Sequence, residues 1–432
     1  MDASDAITLS PPPGPIDCTV HLPGSKSLTN RALLAAALAR GTSEIHGALF
    51  SDDTHCMLKA LKALGVGLSA DDLTCKVRVD GFGGLFPESQ AKLHCGNAGT
   101  VIRFLLAACC ASHGEYELDG DPRMRQRPIG QLVDALRDLG ARIGYAVLDG
   151  YCPLTVKGGG LRSGTVVFDQ PVSSQYISAI LMAAPLASGD VLIDVPGGMP
   201  SAPYVRMTLS VMEAFGVEAV NDQTRRFIVP APQTYKATEY HVEPDASAAS
   251  YFFGAAAVTG GRVTVEGLGT ASPQGDVGFV RVLEVMGCRV ESSKQRIVVM
   301  GPAEGRLRGV DVDLNEMPDV AQTLAVIAAF AEGPTRIRNV ANLRIKETDR
   351  LHALATELGR MGVETEVSAD EIIIRPGKPP VAVRVRTYND HRMAMSFALA
   401  GLRVDGVMIE NPGCVAKTFP GFFETWNQLG RK

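Results

Sequence analysis

Residues 25–41 read SKSLTNRALLAAALARG, a polar start followed by an alanine-rich stretch that ends on a glycine. Five later segments share this pattern, and their end glycines follow one another at intervals of 73, 75, 72, 72 and 73 residues. Chance resemblance among alanine-rich helices is the alternative, but it does not explain the regular spacing. The pattern predicts a sixfold repeat of about 70 residues, which is longer than a common solenoid repeat. The six segments are residues 25–41, 96–114, 172–189, 245–261, 317–333 and 389–406.

Each repeat has a second predicted helix that also stops at a glycine. A glycine just past the last turn supplies the left-handed C-cap that ends many helices. Short β-branched segments follow, as at residues 288–291 and 363–367, so each unit is predicted to run strand, helix, strand, helix, strand. Six units divide as three plus three, with the break near Val242–Asp245. The glycines are Gly65, Gly140, Gly216, Gly287 and Gly362.

The composition excludes several classes of protein. The chain has 432 residues, which is enough for about two or three domains. A net charge of −5 argues against a generally basic nucleic-acid binder, although a local basic pocket stays possible in principle. An aromatic content of 6% argues against stacking platforms for single-stranded nucleic acid.

Targeting, membrane and metal signals are also missing from the sequence. The apolar runs fall far short of the ~20 residues that span a bilayer, and the acidic, proline-rich start does not resemble a signal peptide. Nine scattered cysteines without a CxxC pair argue against a zinc ribbon or a disulfide framework. The eight histidines show no metal-ligand spacing, and P-loop, GxGxxG, HExxH and GxSxG motifs are absent. We therefore expect a cytoplasmic protein that uses no metal, cofactor, nucleic acid or membrane.

Cations stand at the starts of several repeated helices. Lys26 and Arg31 follow Gly24, Arg103 follows the GNAGT stretch, and Arg392 follows Asn389-Asp390. Ordinary N-capping explains a lone Ser173 well. It does not explain the cations, because a cation near a helix N-terminus costs about 0.3–1 kcal/mol unless an anion offsets it. The pattern predicts anion-binding sites at these helix starts.

Basic loops precede the second helices, and carboxylates lie among them. Residues 123–127 hold three arginines, residues 342–350 mix both signs, and residues 416–420 read AKTFP. A solvated helix face is the alternative reading of one such run, but recurrence at equivalent places favours a shared basic cleft. Asp319, Glu347, Asp349 and Asp390 could transfer protons there, although a structural salt bridge explains any one of them.

These motifs together resemble the 5-enolpyruvylshikimate-3-phosphate synthase family. The resemblance runs from about residue 20 to residue 425 and is most specific in RIKETDR, YNDHRMAM and AKTFP. The other matching stretches are LPGSKSLTNRALL, CGNAGT, DPRMRQRPI, PVSSQY and MPD.

The resemblance implies a fold of two inside-out α/β domains, each of three βαβαββ units, closing on an interdomain cleft. Residues 24–243 are expected to form the N-terminal domain, on the shikimate 3-phosphate side. Residues 1–23 with 244–432 are expected to form the C-terminal domain, which would carry the acid/base groups and the phosphoenolpyruvate side. A monomer is expected from the family.

The resemblance also implies an addition–elimination reaction between two small molecules. The enolpyruvyl group of phosphoenolpyruvate would pass to the 5-hydroxyl of shikimate 3-phosphate through a tetrahedral intermediate, with release of inorganic phosphate, in aromatic amino-acid biosynthesis. By motif, Asp319 is the expected acid/base at the 5-hydroxyl and Glu347 the expected acid at the methylene carbon. Lys26 would assist proton transfer, and His391 lies next to these groups.

The two binding sets overlap, as expected for substrates that react with each other. The residues expected to bind shikimate 3-phosphate are Lys26, Ser27, Arg31, Ser173, Ser174, Gln175, Tyr204, Asp319, Asn342 and Lys346. The residues expected to bind phosphoenolpyruvate are Lys26, Asn97, Gly99, Thr100, Arg127, Gln175, Arg350, Arg392 and Lys417.

Two alternatives and two departures from the family pattern accompany this hypothesis. A UDP-N-acetylglucosamine enolpyruvyl transferase would carry a cysteine in the loop at residues 120–128, where this sequence has none. A non-catalytic binder of phosphorylated metabolites would gain nothing from carboxylates beside its ligand.

Phe104 stands where the family usually has proline, which leaves sensitivity to the inhibitor glyphosate open, and Pro244 replaces a more common glycine at the predicted domain crossover.

Overall fold

Two compact units of similar size make up the chain. The computed structural model describes residues 6–222 and 225–429. One unit comprises Gly24–Glu243, and the other combines the residues up to Pro23 with those from Pro244 onward. We refer to them as the inserted unit and the terminal unit.

The inserted unit alternates helices and strands throughout. Its helices are α1 (Lys26–Leu38), α2 (Asp52–Ala63), α3 (Gly99–Ala111), α4 (Gly130–Asp138), α5 (Ser174–Ala183) and α6 (Ala202–Ala214). Its strands are β3 (Arg40–His46), β4 (Gly67–Asp71), β5 (Lys76–Phe82), β6 (Gln90–His94), β7 (Glu115–Asp119), β8 (Arg142–Tyr145), β9 (Leu154–Lys157), β10 (Gly164–Val167), β11 (Val191–Asp194), β12 (Val220–Asn221), β13 (Arg226–Val229) and β14 (Glu239–His241).

The terminal unit takes its first two strands from the start of the chain. Its helices are α7 (Ala246–Thr259), α8 (Phe279–Met286), α9 (Ala321–Ala328), α10 (Arg350–Arg360), α11 (His391–Gly401) and α12 (Phe422–Trp426). Its strands are β1 (Ala6–Leu9), β2 (Asp17–Val20), β15 (Arg262–Glu266), β16 (Arg289–Ser292), β17 (Arg296–Met300), β18 (Leu307–Arg308), β19 (Asp311–Asp313), β20 (Ala331–Glu332), β21 (Thr335–Arg338), β22 (Glu364–Val367), β23 (Ile372–Arg375), β24 (Arg384–Val385) and β25 (Val407–Glu410).

One sheet pattern recurs in five of the six repeats. After the second helix come two antiparallel strands, where the sequence pattern predicted a single strand. The sheets accordingly have four strands, in the orders β14-β3-β5-β4, β6-β7-β9-β8, β10-β11-β13-β12, β2-β15-β17-β16 and β19-β21-β23-β22. The sequence pattern alone missed the extra strand, because a short hairpin has almost no periodicity of its own. The βαβαββ unit implied by the family resemblance contains it.

Two strands near the points where the chain passes between the units pair with strands that are distant in sequence. Strand β2 precedes α1 in sequence but pairs in parallel with β15 of the terminal unit. Strand β14 precedes α7 but pairs in parallel with β3 of the inserted unit. Strand β1 adds to β25 in the sixth sheet, which has three strands. The start of the chain therefore completes two sheets of the terminal unit.

The first helix of each repeat is buried on all sides. Every residue of α3 is buried, and so is every residue of α11. A helix that is apolar all round belongs in a core, and alanine lets such helices pack closely. The sheets surround these helices and alternate buried with exposed residues, as β7 and β9 do. The mixed α/β class predicted from the sequence is thereby confirmed.

A glycine at the end of an inner strand, or just after it, lets that strand approach the end of the buried helix in several repeats. A Cβ added at Gly301 would lie 2.1 Å from the backbone oxygen of Ala256, in α7. A Cβ added at Gly81 would lie 2.2 Å from the backbone oxygen of Ala36, and one added at Gly158 would lie 2.5 Å from the backbone oxygen of Ser112. Real Cβ atoms do not approach backbone oxygen this closely, so the contact requires glycine.

We expect Gly301→Ala to lower the free energy of unfolding of the protein by about 1–3 kcal/mol, because either β17 or the end of α7 must move. The measurement is urea-induced unfolding followed by circular dichroism. Gly359→Ala is the matched control within the same unit, because a Cβ at this exposed position in α10 meets nothing within 4 Å. This control should be neutral or stabilising by up to about 1 kcal/mol. Equal stability of Gly301→Ala and the parent would contradict the packing argument.

Candidate active site

Both units gather charged side chains at the N-terminal ends of their buried helices. In the inserted unit these are α1, α3 and α5, and in the terminal unit they are α9 and α11. Backbone N–H groups at a helix start have no partner within the helix and carry a partial positive charge.

Lys26 lies at the first turn of α1, immediately after the N-cap Ser25. Its Nζ lies 3.0 Å from Oδ2 of Asp53, a buried carboxylate in the first turn of α2. The Lys26 side chain is 14% exposed, so the ammonium is anchored at one side and still reaches solvent. Sequence analysis missed Asp53, because an acidic residue in the first turn of a helix is ordinary dipole compensation.

Arg31 lies one turn further along α1 and is fully buried. Its Nη1 donates to the backbone oxygen of Ser27 at 2.9 Å, and its Nη2 donates to that of Tyr204 at 3.0 Å. Its Nε donates to Thr208 Oγ1 at 2.7 Å, and its guanidinium lies over the ring of Phe104 at 5.1 Å. Burial lowers the pKa of Arg31 to about 10, while the nearby phenols of Tyr204 and Tyr240 oppose that shift. The guanidinium therefore positions Ser27 and Tyr204, two other predicted ligands.

Gly99 opens α3 between two arginines and an amide. An added Cβ there would lie 2.5 Å from Arg103 Nη1, 2.9 Å from Arg127 Nη2 and 2.9 Å from Gln175 Oε1. Arg103 Nη1 donates to Gln175 Oε1 at 2.6 Å, and Arg127 Nη1 donates to the backbone and side-chain oxygens of Asn97 at 2.9 and 3.1 Å. The absence of a side chain at residue 99 leaves this basic recess open to a small anion. The sequence flagged Arg103 as a helix-start cation, but the resemblance did not assign it to a ligand.

The remaining predicted residues of this unit lie on the same three buried helices or on α6. Ser173 caps α5 by accepting from the backbone N–H of Gln175 at 3.3 Å, and Ser174 follows it as a buried residue. Thr100 Oγ1 accepts from Asn30 Nδ2 at 2.8 Å, which ties α3 to α1. The Thr100 hydroxyl thus takes part in helix packing as well as lying beside Gly99.

In the terminal unit, Arg350 holds three carboxylates together. Its Nε lies 2.8 Å from Asp390 Oδ2, its Nη2 lies 2.9 Å from Glu347 Oε2, and its Nη1 lies 3.2 Å from Asp319 Oδ1. The Arg350 side chain is 2% exposed. Burial lowers the pKa of Arg350, but the charges of Asp390, Glu347 and Asp319 outweigh it and hold the pKa above its usual range.

Three further cations surround Asp319 and Glu347. Arg392 Nη2 donates to Asp319 Oδ2 at 2.7 Å, and Lys346 Nζ lies 4.0 Å from Asp319 Oδ1. Lys417 Nζ lies 3.9 Å from Glu347 Oε1. Counting Arg350, four cationic side chains thus lie beside three carboxylates. Asp319 and Glu347 both contact Arg350.

His391 and Asn342 border this cluster. His391 is buried at the start of α11, with its Nδ1 3.7 Å from Asp390 Oδ1. Asn342 lies in a short 3₁₀ turn at Ala341–Ile345, just before Lys346. Asp390 caps α11 by accepting from the backbone N–H of Arg392 at 2.9 Å. Asp390 therefore caps α11 and pairs with Arg350 at the same time. Its position in the sequence alone does not predict this double role.

Asp276 is a further buried acid that the sequence did not reveal. It lies in the 3₁₀ turn at Gly275–Gly278, and its Oδ2 accepts a hydrogen bond from Ser247 Oγ. Burial and then the negative charge of Asp319 raise its pKa to about 7, against the lowering effects of Ser247 and Arg392. No nearby charge pattern in the sequence marked this residue.

The comparisons with known proteins agree on one family. The family model of EPSP synthase (3-phosphoshikimate 1-carboxyvinyltransferase) matches residues 11–426. A relative from Photobacterium profundum named 3-phosphoshikimate 1-carboxyvinyltransferase is 48% identical over 431 residues, 99% of each chain. A relative of the same name from Nostoc punctiforme is 46% identical over 415 residues, 96% of this chain and 97% of its own. The solved structure of EPSP synthase from Acinetobacter baumannii has a TM-score of 0.82 at 28% identity, covering 99% of this chain and 98% of that one.

The fold and the comparisons define a class of protein, the α/β transferases built from repeated units with buried helices. Within that class, this chain belongs to the EPSP synthase (3-phosphoshikimate 1-carboxyvinyltransferase) family. The resemblance drawn from the sequence motifs is confirmed. The UDP-sugar alternative is not favoured, because the relatives quoted carry the other name.

We expect Asp276→Asn to change the pH dependence of stability. A carboxyl whose pKa is raised in the folded state binds a proton there that the unfolded chain has already lost, so this group costs stability as the pH rises from about 4 through about 7. The stability of the Asn variant relative to the parent should therefore increase by about 1–3 kcal/mol between pH 5 and pH 8 in urea unfolding. Asp405→Asn, at an exposed position of the same unit, is the control. A difference that does not vary with pH would show that Asp276 is ionised throughout.

Proposed function

We propose that this chain transfers the enolpyruvyl group of phosphoenolpyruvate to the 5-hydroxyl of shikimate 3-phosphate and releases inorganic phosphate. The observation that carries the proposal is the placement of Asp319 and Glu347 on one buried guanidinium, among three further cations. A protein that only bound anions would be weakened by carboxylates at this place. Family membership supplies the identity of the two substrates.

The charge balance of the two clusters supports the binding assignments. In the inserted unit, Lys26, Arg31, Arg103 and Arg127 lie at or near the helix starts, and Asp53 pairs with Lys26. Two substrates with two phosphates and two carboxylates introduce about six negative charges, and unpaired buried ions are very costly. Arginine suits bidentate contacts with both groups.

We assign the inserted unit mainly to shikimate 3-phosphate, together with part of the phosphoenolpyruvate set. Ser27, Arg31, Ser173, Ser174 and Tyr204 would bind or position the shikimate moiety. Asn97, Gly99, Thr100 and Arg127 would form part of the phosphoenolpyruvate subsite. Lys26 and Gln175 would serve both substrates.

We assign the terminal unit to proton transfer and to the rest of the binding sets. Arg350, Arg392 and Lys417 would hold phosphoenolpyruvate, and Asn342 and Lys346 would hold shikimate 3-phosphate. His391 would support the proton-transfer groups from its place beside Asp390.

Proton transfer follows from the two carboxylates. Asp319 takes the proton of the 5-hydroxyl while the oxygen of that hydroxyl attacks the substituted enol carbon of phosphoenolpyruvate. Glu347 protonates the methylene carbon, and the product is a tetrahedral intermediate. Both roles then reverse: Glu347 removes a proton from the new methyl group, and Asp319 returns its proton to the phosphate, which leaves as the double bond re-forms. Arg350 Nη1 and Arg392 Nη2 lie 3.2 and 2.7 Å from the two carboxylate oxygens of Asp319, and these ion pairs hold the carboxylate in place.

The cellular setting is also a proposal. None of the nine cysteines, all within the described residues, forms a disulfide. Among the described residues, no helix combines the length and apolarity needed to cross a bilayer. We propose a cytoplasmic monomer that works without nucleic acid, membrane or cofactor, and gel filtration with light scattering would test the monomer.

We expect phosphate release from phosphoenolpyruvate when shikimate 3-phosphate is added, and none when UDP-N-acetylglucosamine is added instead. Asp319→Asn should lower kcat by about 10²–10⁴-fold, because the amide cannot accept the hydroxyl proton. Shikimate 3-phosphate binding, measured by calorimetry, should persist in this variant.

Glu347→Gln is the second variant for this test, and Asp405→Asn is the control that should keep full activity. Release only with the UDP-sugar would overturn the substrate assignment. A folded Asp319→Asn variant with normal kcat would overturn the assigned base.

We expect Gly99→Ala to raise the KM for phosphoenolpyruvate by about tenfold or more, because its methyl group would push against Arg103, Arg127 and Gln175. The KM for shikimate 3-phosphate should change less than about threefold, since Gln175 is the one displaced group assigned to that substrate. Steady-state kinetics with each substrate varied in turn make the comparison. Gly14→Ala is the control, since a Cβ there meets nothing within 4 Å. Equal increases in both KM values would contradict the subsite assignment.

A further inference from the structure

We propose that the edge of the first sheet of the inserted unit carries a binding site for a divalent transition metal of the Zn²⁺ class. Strands β3 and β14 each end in Glu-x-His, and they pair in parallel register. Glu44 lies opposite Glu239, and His46 lies opposite His241. Because side chains alternate across a strand, all four project from the same face of the sheet. We call these four residues the Glu-His cluster.

The distances within the cluster fit a metal ion. Glu239 Oε1 lies 3.2 Å from Nε2 of His46 and 3.2 Å from Nε2 of His241. One ligand atom from each of these three residues lies within 4.8 Å of the others. Ligands bound tetrahedrally to Zn²⁺ at about 2.0–2.2 Å are about 3.3–3.5 Å apart. Small side-chain rotations would therefore bring the three atoms onto one ion.

The two imidazoles already lie together. Their ring centroids are 4.8 Å apart with an interplanar angle of 16°. The His241 side chain is 73% exposed, so its ring can turn its Nε2 towards a shared ion at little steric cost. The residues between the ligands, Ile45 and Tyr240, pack inward and fix the two strands.

His46 gives a second observation that points to a cation. Its Nε2 is shielded from water and makes no hydrogen bond of good geometry within the described residues. Carboxylate oxygens of Glu239 and Glu44 nevertheless lie 3.2 and 3.7 Å from it. A metal ion bound between this ring nitrogen and the carboxylate oxygens would bind all of these groups at once. Two histidines and a carboxylate are a donor set that binds Zn²⁺ and its neighbours well.

The charges on the other side of β3 do not block the site. Strand β5 places Arg78 opposite Glu44 and Lys76 opposite His46. Arg78 Nε lies 3.5 Å from Asp80 Oδ1 and so has its own carboxylate. Strand β14 is the edge of the sheet, so an ion would approach from the side of Glu239 and His241.

A metal ion here would act as a clip between distant parts of the chain. The ligands on β3 and β14 are about 195 residues apart, at the beginning and the end of the inserted unit. Beyond β14, Val242 donates to the backbone oxygen of His46 at 2.8 Å, and the chain then leaves the unit at Glu243. Closing so long a loop with a ligand that binds only the folded state stabilises that state.

We expect the untagged full-length chain, stripped with a chelator, to bind one equivalent of Co²⁺ with the visible absorption of a tetrahedral site, and Zn²⁺ to displace it. His241→Ala and His46→Gln should each weaken Zn²⁺ binding by about 10-fold or more in calorimetry. Zn²⁺ should raise the unfolding temperature of the parent and leave that of His241→Ala unchanged. His94→Ala, an exposed histidine of the same unit that lies beside Asp121, is the control and should bind like the parent.

The site is disproved if the parent binds no stoichiometric metal. It is equally disproved if both cluster variants bind like the parent, or if His94→Ala loses binding to the same extent. Phosphate release by the metal-free chain is measured separately. Failure of the metal site therefore leaves the proposed reaction untouched, and the reverse also holds.

Discussion

Complete burial of the alanine-rich helices is the constraint on which the rest of this structure depends. Helices such as α3 and α11 have no solvent-facing side, so their residues are small or apolar except near their starts, where Arg103 and Arg392 lie. Contacts such as those between Asn30 and Thr100, and between Ser250 and Thr323, join their polar positions inside each unit. Because the helices pack side by side, their starts come together. Repeating one helix three times therefore concentrates partial positive charge and polar caps at one place.

The buried ionic groups of the terminal unit follow from the same packing. Arg350 lies at the start of α10 with almost no access to water, and a lone guanidinium there would be strongly unfavourable. Asp390 satisfies it from the cap of α11, and Asp319 and Glu347 complete its contacts. One cation thereby holds two proton-transfer candidates in a fixed relation. The chemistry and the stability of this region share the same atoms.

The glycine-punctuated spacing was sufficient to predict the repeats, because helix stops and buried alanine runs are local properties of sequence. The helix-start cations and the basic loops were equally visible, since each violates a local expectation about charge. The second strand of each hairpin was implied by the family resemblance and not by the local pattern, and Asp53 and Asp276 were missed altogether. Their importance comes from partners about 27 or more residues away, Lys26 for Asp53 and Ser247 for Asp276, which no local pattern encodes.

The sequence by itself determined the repeat number, the α/β class, the family and the residue types of the candidate site. The tertiary structure decided which of those residues meet, because pairings such as Arg350 with Asp390 join different repeats. It also decided which strands β2 and β14 pair with, and the meeting of two Glu-x-His segments in one register. The physical reason is the distance along the chain over which each effect acts. Helix propensity, capping and burial are set by a few neighbouring residues, whereas register and charge pairing depend on the packing of the folded chain.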